Sequence, residues 1–370
     1  MLTAMTLALG VLLSAPPENP SEKPSTVHEA RPAPVSADGV SAILEAAHDH
    51  PIVGLGERHH MVSAHEFLRR LVRDPRFPSA FQDIVVEFGN PRYQGVMDRY
   101  IAGESVPAEE LRLAWRNTTQ LLVWDSPLYE QFFTTVRDVN RTLPADKRLR
   151  VLLGDPPIDW EAIQRPEDFP RDSLRRDPET FRLIEKEVLS QGRRALVIIG
   201  NAHLLRRSPL GGFQPLPLEK AGLAEALAQR YPGKAFLVWT VAGAGSEFAS
   251  RVARWRPGTL VRLAGTSLGA ESSSLLLGRL KIMRMVDGKR VPMTLRPEDC
   301  PPLEEQVDAV LYLGTSDKTA EAPPEVYRDE AYVAELRRRA AILHEVFGMD
   351  QTPEIDELVK AAKKTPRRSR

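Results

Sequence analysis

Four apolar runs in this chain each end in an acid, a histidine or both. Pro51-Ile52-Val53-Gly54-Leu55 leads into Gly56-Glu57-Arg58-His59-His60, and Ile84-Val85-Val86 leads into Glu87. Val151-Leu152-Leu153 leads into Gly154-Asp155, and Ala195-Leu196-Val197-Ile198-Ile199 into Gly200-Asn201-Ala202-His203. An imidazole works as a general base near neutral pH, and a carboxylate beside it can orient it. Two or three imidazoles with carboxylates can instead hold a first-row metal that keeps a position open for water. Either arrangement activates water against a carbonyl or phosphoryl group. The reading is that His60 or His59 activates water, Glu57 orients it, and Glu87 and His203 complete the site. In the metal alternative His59, His203 and Glu87 are the ligands. Glu87 is the hardest of these to treat as ordinary, because a carboxylate closing an Ile-Val-Val run is costly unless something pairs it. Asp155 also reads as a turn residue before Pro156.

These residues converge only if the runs are neighbouring strands of one parallel sheet. Short apolar stretches predict strands at 51–55, 83–88, 148–154, 195–199, 235–241 and 308–313. Apolar residues at helical spacing predict helices at 38–48, 61–73, 93–102, 108–116, 126–141, 177–191, 220–230 and 330–347. Asp177 before Pro178 has the form of a helix cap followed by a first-turn proline. The alternation predicts an α/β protein with a mainly parallel central sheet flanked by helices. In such sheets ligands bind beyond the carboxyl ends of the strands, where all four ionisable segments fall. The stretch 243–302 mixes Gly-rich turns with short apolar pieces and reads as a less regular extension. Within it, Gly265-Thr266-Ser267-Leu268-Gly269 has the Gly-x-Ser-x-Gly form of a nucleophile elbow. An elbow needs a helix after the serine and a later triad histidine. No helical pattern follows Ser267, and the later His344 lies inside a helix, so a turn is the reading.

Composition narrows the functions further. Fifty acidic and fifty basic residues balance over 370 positions, so no net field favours nucleic acid. No phosphate-binding P-loop or dinucleotide fingerprint is present. Cys300 is the single cysteine, which excludes an internal disulfide or a cysteine-rich metal site. Residues 1–15 form an uncharged, mostly apolar run with the length of a signal-peptide core, followed at 16–37 by a spacer rich in Pro, Ser and Glu. Together they predict export to the periplasm, cell surface or medium of a bacterium, with the run either cleaved or kept as a membrane attachment. One domain is expected over 38–350 and a disordered basic tail over 351–370.

The order of these segments resembles the erythromycin esterase-like and ChaN-like superfamily, with the Tiki and TraB metalloprotease-like proteins as more distant relatives. The likeness rests on Gly-Glu-x-x-His after a strand, a helix carrying Glu66-Phe67, a strand ending in Glu87, and the later Gly-x-x-His of 200–203. The esterase branch implies functional roles for Glu57, His60 and Glu87. The ChaN and Tiki branches place the histidine two residues after the glutamate, at His59, and the later motif of the Tiki-like branch corresponds to His203. His65 stands where ChaN-like proteins often carry a further histidine, and it equally fits a packed position between Met61 and Leu68. Arg58-His59 stands where the esterase pattern commonly has Ala-Thr, a departure from the macrolide hydrolases. The expectation is a hydrolase acting on an ester, a lactone or a peptide. The alternative implied by ChaN is an exported protein that binds haem or a divalent first-row metal without turnover.

Overall fold

The computed structural model describes residues 31–171, 175–243, 247–252, 254–277, 283–286, 289–316 and 318–365. The expected leader, most of the spacer and the last residues of the tail lie outside these. All the elements of the fold belong to one unit, Pro32–Arg370. Its strands are β1 (Ser36–Asp38), β2 (Ile52–Glu57), β3 (Asp83–Val86), β4 (Arg150–Leu153), β5 (Ala195–Gly200), β6 (Ala235–Val241), β7 (Thr259–Arg262), β8 (Met283–Val286), β9 (Lys289–Pro292) and β10 (Ala309–Tyr312). Eight of them form one sheet in the order β1-β7-β10-β6-β2-β5-β3-β4, and β8 and β9 pair as a separate hairpin. From β10 to β4 every pairing is parallel, while β7 runs antiparallel to both β10 and β1.

The near-continuous apolar strands follow from burial on both faces. Val53, Leu55, Val86, Leu153 and Ile198 pack on one side with Ile43, Phe67, Leu71 and Phe132. Their neighbours Ile52, Val85, Leu152, Val197 and Ile199 pack on the other side with Phe181, Ile184, Leu223 and Leu227. A third cluster, including Trp160, Tyr327, Leu336 and Ile355, joins the C-terminal helices to the loop after β4. The central ladder carries β2 two residues past its expected end, because Gly56 pairs with Ile199 and Glu57 with Gly200. Glu57 therefore sits on the last rung of a buried strand. β3 stops at Val86, which leaves Glu87 just beyond it.

Several boundaries differ from expectation. Residues 36 and 37, assigned to the spacer, pair with Val261 and Leu260 in β7. Without them the outer strand would leave its backbone groups bare, and a short strand covers that edge. The tail is helical over Thr352–Lys364, with Ile355 and Ala362 buried against the preceding helix Glu330–Phe347. Arg328 donates to the carbonyl of Ala362 at 2.8 and 3.0 Å. Within 243–302, β7 belongs to the main sheet. No helix starts at Ser267: Thr266 N donates to Leu263 O at 3.0 Å in a turn, and Ser267 N donates to Pro32 O at 2.9 Å. The described residues include no helix long and apolar enough to cross a membrane.

Candidate functional site

Parallel register brings the ends of β2, β5, β3 and β4 to one edge. The Glu57 side chain is almost fully buried there. It receives a hydrogen bond from His59 Nδ1, a second from His65 Nε2 at 2.8 Å and a third from the Tyr129 hydroxyl at 3.4 Å. Burial pushes its carboxyl up, but the bonds from His59 and His65 outweigh this and hold it at about 2. An ionised Glu57 can only accept, so His59 must donate through Nδ1. A neutral His59 then carries its lone pair on Nε2, the tautomer a base needs. The His59 ring also meets Trp124 edge-on, with centroids 4.9 Å apart.

His203 repeats this device. It lies in the short helix Asn201–Leu204 that follows β5, and its Nδ1 is 2.6 Å from Asp177 Oδ1. Burial pulls both imidazoles down. Glu57 for His59 and Asp177 for His203, helped by Glu87, win against it, so both hold their protons more tightly than a free histidine does. Glu87 lies between the two arms. Its Oε2 accepts from Gly200 N at 2.7 Å, and its Oε1 is 3.2 Å from Gln120 Nε2, 3.4 Å from Arg176 Nε and 3.7 Å from His203 Nε2. Arg176 also forks onto Asp155 Oδ1 at 2.8 and 2.9 Å, while Thr119 donates to Asp155 Oδ2 from N at 3.1 Å and Oγ1 at 3.2 Å. Burial pushes the Asp155 carboxyl up against the pull of Arg176.

Two glycines let the groups approach. A β-carbon on Gly56 would sit 1.7 Å from Asn201 Oδ1, and that amide clamps both backbone groups of Thr240. A β-carbon on Gly200 would lie 3.3 Å from Glu87 Oε2, 3.5 Å from His203 Cδ2 and 3.7 Å from His59 Cε1. The three groups therefore converge on one point. His59 and His203 open on a cavity of about 300 Å³, whose polar side is Glu57, Arg58, His59, Gly200, Asn201 and His203.

Glu57, His59, Glu87 and His203 are thus brought together, with Asp155 behind them through Arg176 and His65 behind Glu57. His65 is packed as well as bonded: it is fully buried, and its Nδ1 has no partner. His60 is the correction. Its backbone takes φ +62, a left-handed conformation histidine tolerates better than most residues. That turn swings the ring away, so Nε2 meets Val123 O at 2.5 Å and Nδ1 lies 3.3 Å from Glu321. Of the two histidines the sequence leaves open, His59 bonds Glu57 and lines the cavity, and His60 does neither. Sequence reading missed Asp177, Arg176, Tyr129 and Gln120. In the sequence Asp177 has the form of a cap, but the N-cap position of the helix Arg176–Glu187 is Arg175, which makes no side-chain capping bond, and the Asp177 carboxylate goes to His203.

The residues do not fit a divalent metal. Glu87 is surrounded by an arginine, an amide and a backbone N–H, and among the described residues no group of three or more His, Cys, Asp or Glu is placed to hold an ion. The cavity, at about 300 Å³, lies at the small end of ligand pockets.

No family model matches the chain, and no curated protein matches it. Similar solved structures include a succinoglycan biosynthesis protein, at 12% identity over 79% of this chain and 96% of that one, with a TM-score of 0.47. A mutant erythromycin esterase, EreC, in its open conformation is 13% identical over 76% of this chain and 94% of its own, with a TM-score of 0.45. ChaN of Campylobacter jejuni, with cofacial haem, is 14% identical over 57% of this chain and 92% of its own, with a TM-score of 0.36.

Proposed function

We propose that the chain is a hydrolase that uses His59 as general base and His203 as general acid on a carbonyl substrate. The observation that carries this is the pair of carboxylate–imidazole couples, Glu57–His59 and Asp177–His203, facing one cavity across Gly200. Nε2 of neutral His59 takes a proton from water as the oxygen bonds to the carbonyl carbon. The bond to the leaving oxygen or nitrogen then breaks, and that atom takes a proton from His203. Glu57 and Asp177 fix the tautomers and stabilise the imidazolium forms. Glu87, beside both rings, favours their protonated forms, and Arg176 offsets part of its charge. An ester, a lactone and a peptide all suit this chemistry. Binding of haem or a metal without turnover has no such observation behind it. Export is proposed alongside, on the apolar run at 1–15, and cell fractionation tests it. The activity test is a panel of esters, lactones and peptides given to the full chain and to His59→Ala and His203→Ala. General acid–base catalysis contributes about 10²–10⁴-fold, and each variant should lose activity on that scale. Turnover unaffected by both changes would overturn the proposal.

A further inference from the structure

The cavity is not symmetric about the two histidines. Sheet order runs β6-β2-β5-β3, so Trp239 and Val241 follow the strand on one side of β2, while β5, with His203 after it, and β3, with Glu87 after it, follow on the other. Phe248, from the helix Glu247–Val252, and Leu275 and Leu276, from the helix Ser274–Leu277, complete the apolar side. These five side chains are apolar and all but Leu275 are buried, while Arg58, which also lines the cavity, stands at their edge and donates to the Ala242 carbonyl at 2.7 Å. On the other side Asn201 and His203 line the cavity, with Asp177 bonded to His203 and the Arg176–Glu87 pair behind it.

A general acid must reach the leaving atom, so the leaving group belongs on the His203 side. We infer that the substrate is an ester of an apolar carboxylic acid with a polar, hydroxylated alcohol, its acyl group seated against Trp239, Phe248, Leu275 and Leu276. This rests on the hydrolase reading and deepens it. The irregular stretch after β6 becomes the element that sets acyl preference, because it supplies three of those four side chains. The cavity of about 300 Å³ limits the acyl group to a short chain or a single ring.

The test uses two mirrored series given to the full chain. Glycerol monoesters of acetate, butyrate and hexanoate lengthen the acid, and glycolate esters of ethanol, butanol and hexanol lengthen the alcohol. In the first series kcat/KM should rise about fourfold per added methylene until the cavity is full. The second series should be at least about tenfold poorer at equal length. Leu275→Phe, at a half-buried position, should move the optimum to a shorter acyl chain, and Leu276→Ala should move it to a longer one. A flat acyl series, a preference for the second series, or an optimum unmoved by both variants overturns the inference while leaving a hydrolase. Hydrolysis of neither series overturns this inference, and only failure on the lactones and peptides as well removes the hydrolase reading with it.

Discussion

Replacing Gly200 by alanine puts one methyl group at the point where His59, His203 and Glu87 meet. Gly200 has φ −52 and ψ 139, which alanine adopts without strain, and the bond from its N–H to Glu87 can stay. The contact with Glu87 Oε2 at 3.3 Å is tight by a few tenths of an ångström, and those with His203 and His59 at 3.5 and 3.7 Å are ordinary. Gly→Ala at a compatible position stabilises by about 0.4–1 kcal/mol through the unfolded chain, which offsets that crowding. The melting temperature should therefore change by no more than about 4 °C. The methyl nevertheless occupies the space where water or the substrate carbonyl must lie between the two rings. A misplacement of about 1 Å costs about 10²-fold, and kcat/KM for a good ester should fall on that scale or more. The assay is steady-state hydrolysis beside thermal unfolding. An alanine variant as active as wild type would refute the placement of the reaction at Gly200. One that unfolds at much lower temperature would refute the packing argument.

Glu57→Gln should cut kcat/KM by about 10²–10⁴-fold and, by removing the charge that raises His59, shift the acidic limb of activity to lower pH. The same carboxyl titrates at about 2 in the fold and 4.5 in the reference state, so its stabilising contribution is present above pH 4.5 and lost as pH falls towards 2. That contribution is on the order of 3 kcal/mol, so the urea midpoints of wild type and variant should converge over this window. Ile355→Ala in the last helix should cost about 2–5 kcal/mol, because Ile355 is fully buried in the third cluster; a loss under about 0.5 kcal/mol in urea unfolding would return the segment to a loose tail.

The strand ends were legible because burial on both faces writes them as apolar runs, and parallel pairing then requires their trailing residues to share an edge. What decided between His59 and His60 was one backbone angle, which no pattern of residue types encodes. Asp177 precedes a proline at a helix start, where an acid serves a cap equally well, and only the position of His203 across the fold makes it a partner. Tyr129 and Gln120 arrive from a helix and a loop far along the chain and have no local signature. Ser36-Ala37-Asp38 has little strand preference of its own; a bare sheet edge imposes the pairing. The basic end of the tail disguised a helix, because Lys363 and Lys364 sit in its last turn, where cations favour the helix dipole.

The central claim is that two oppositely employed imidazoles share the site, and the pH dependence of kcat/KM tests it most directly. His59 must be neutral, so activity should rise with pH through its titration. His203 must be protonated, so activity should fall through its own. Both hold protons more tightly than the ordinary value of 6.5, so the bell should have both inflections above it, read as properties of the coupled pair. Asp177→Asn should move the alkaline limb to lower pH, His203→Ala should abolish it, and His59→Ala should abolish the acidic limb. A profile flat from about pH 5 to 9, or one whose limbs survive both histidine substitutions, would contradict the account.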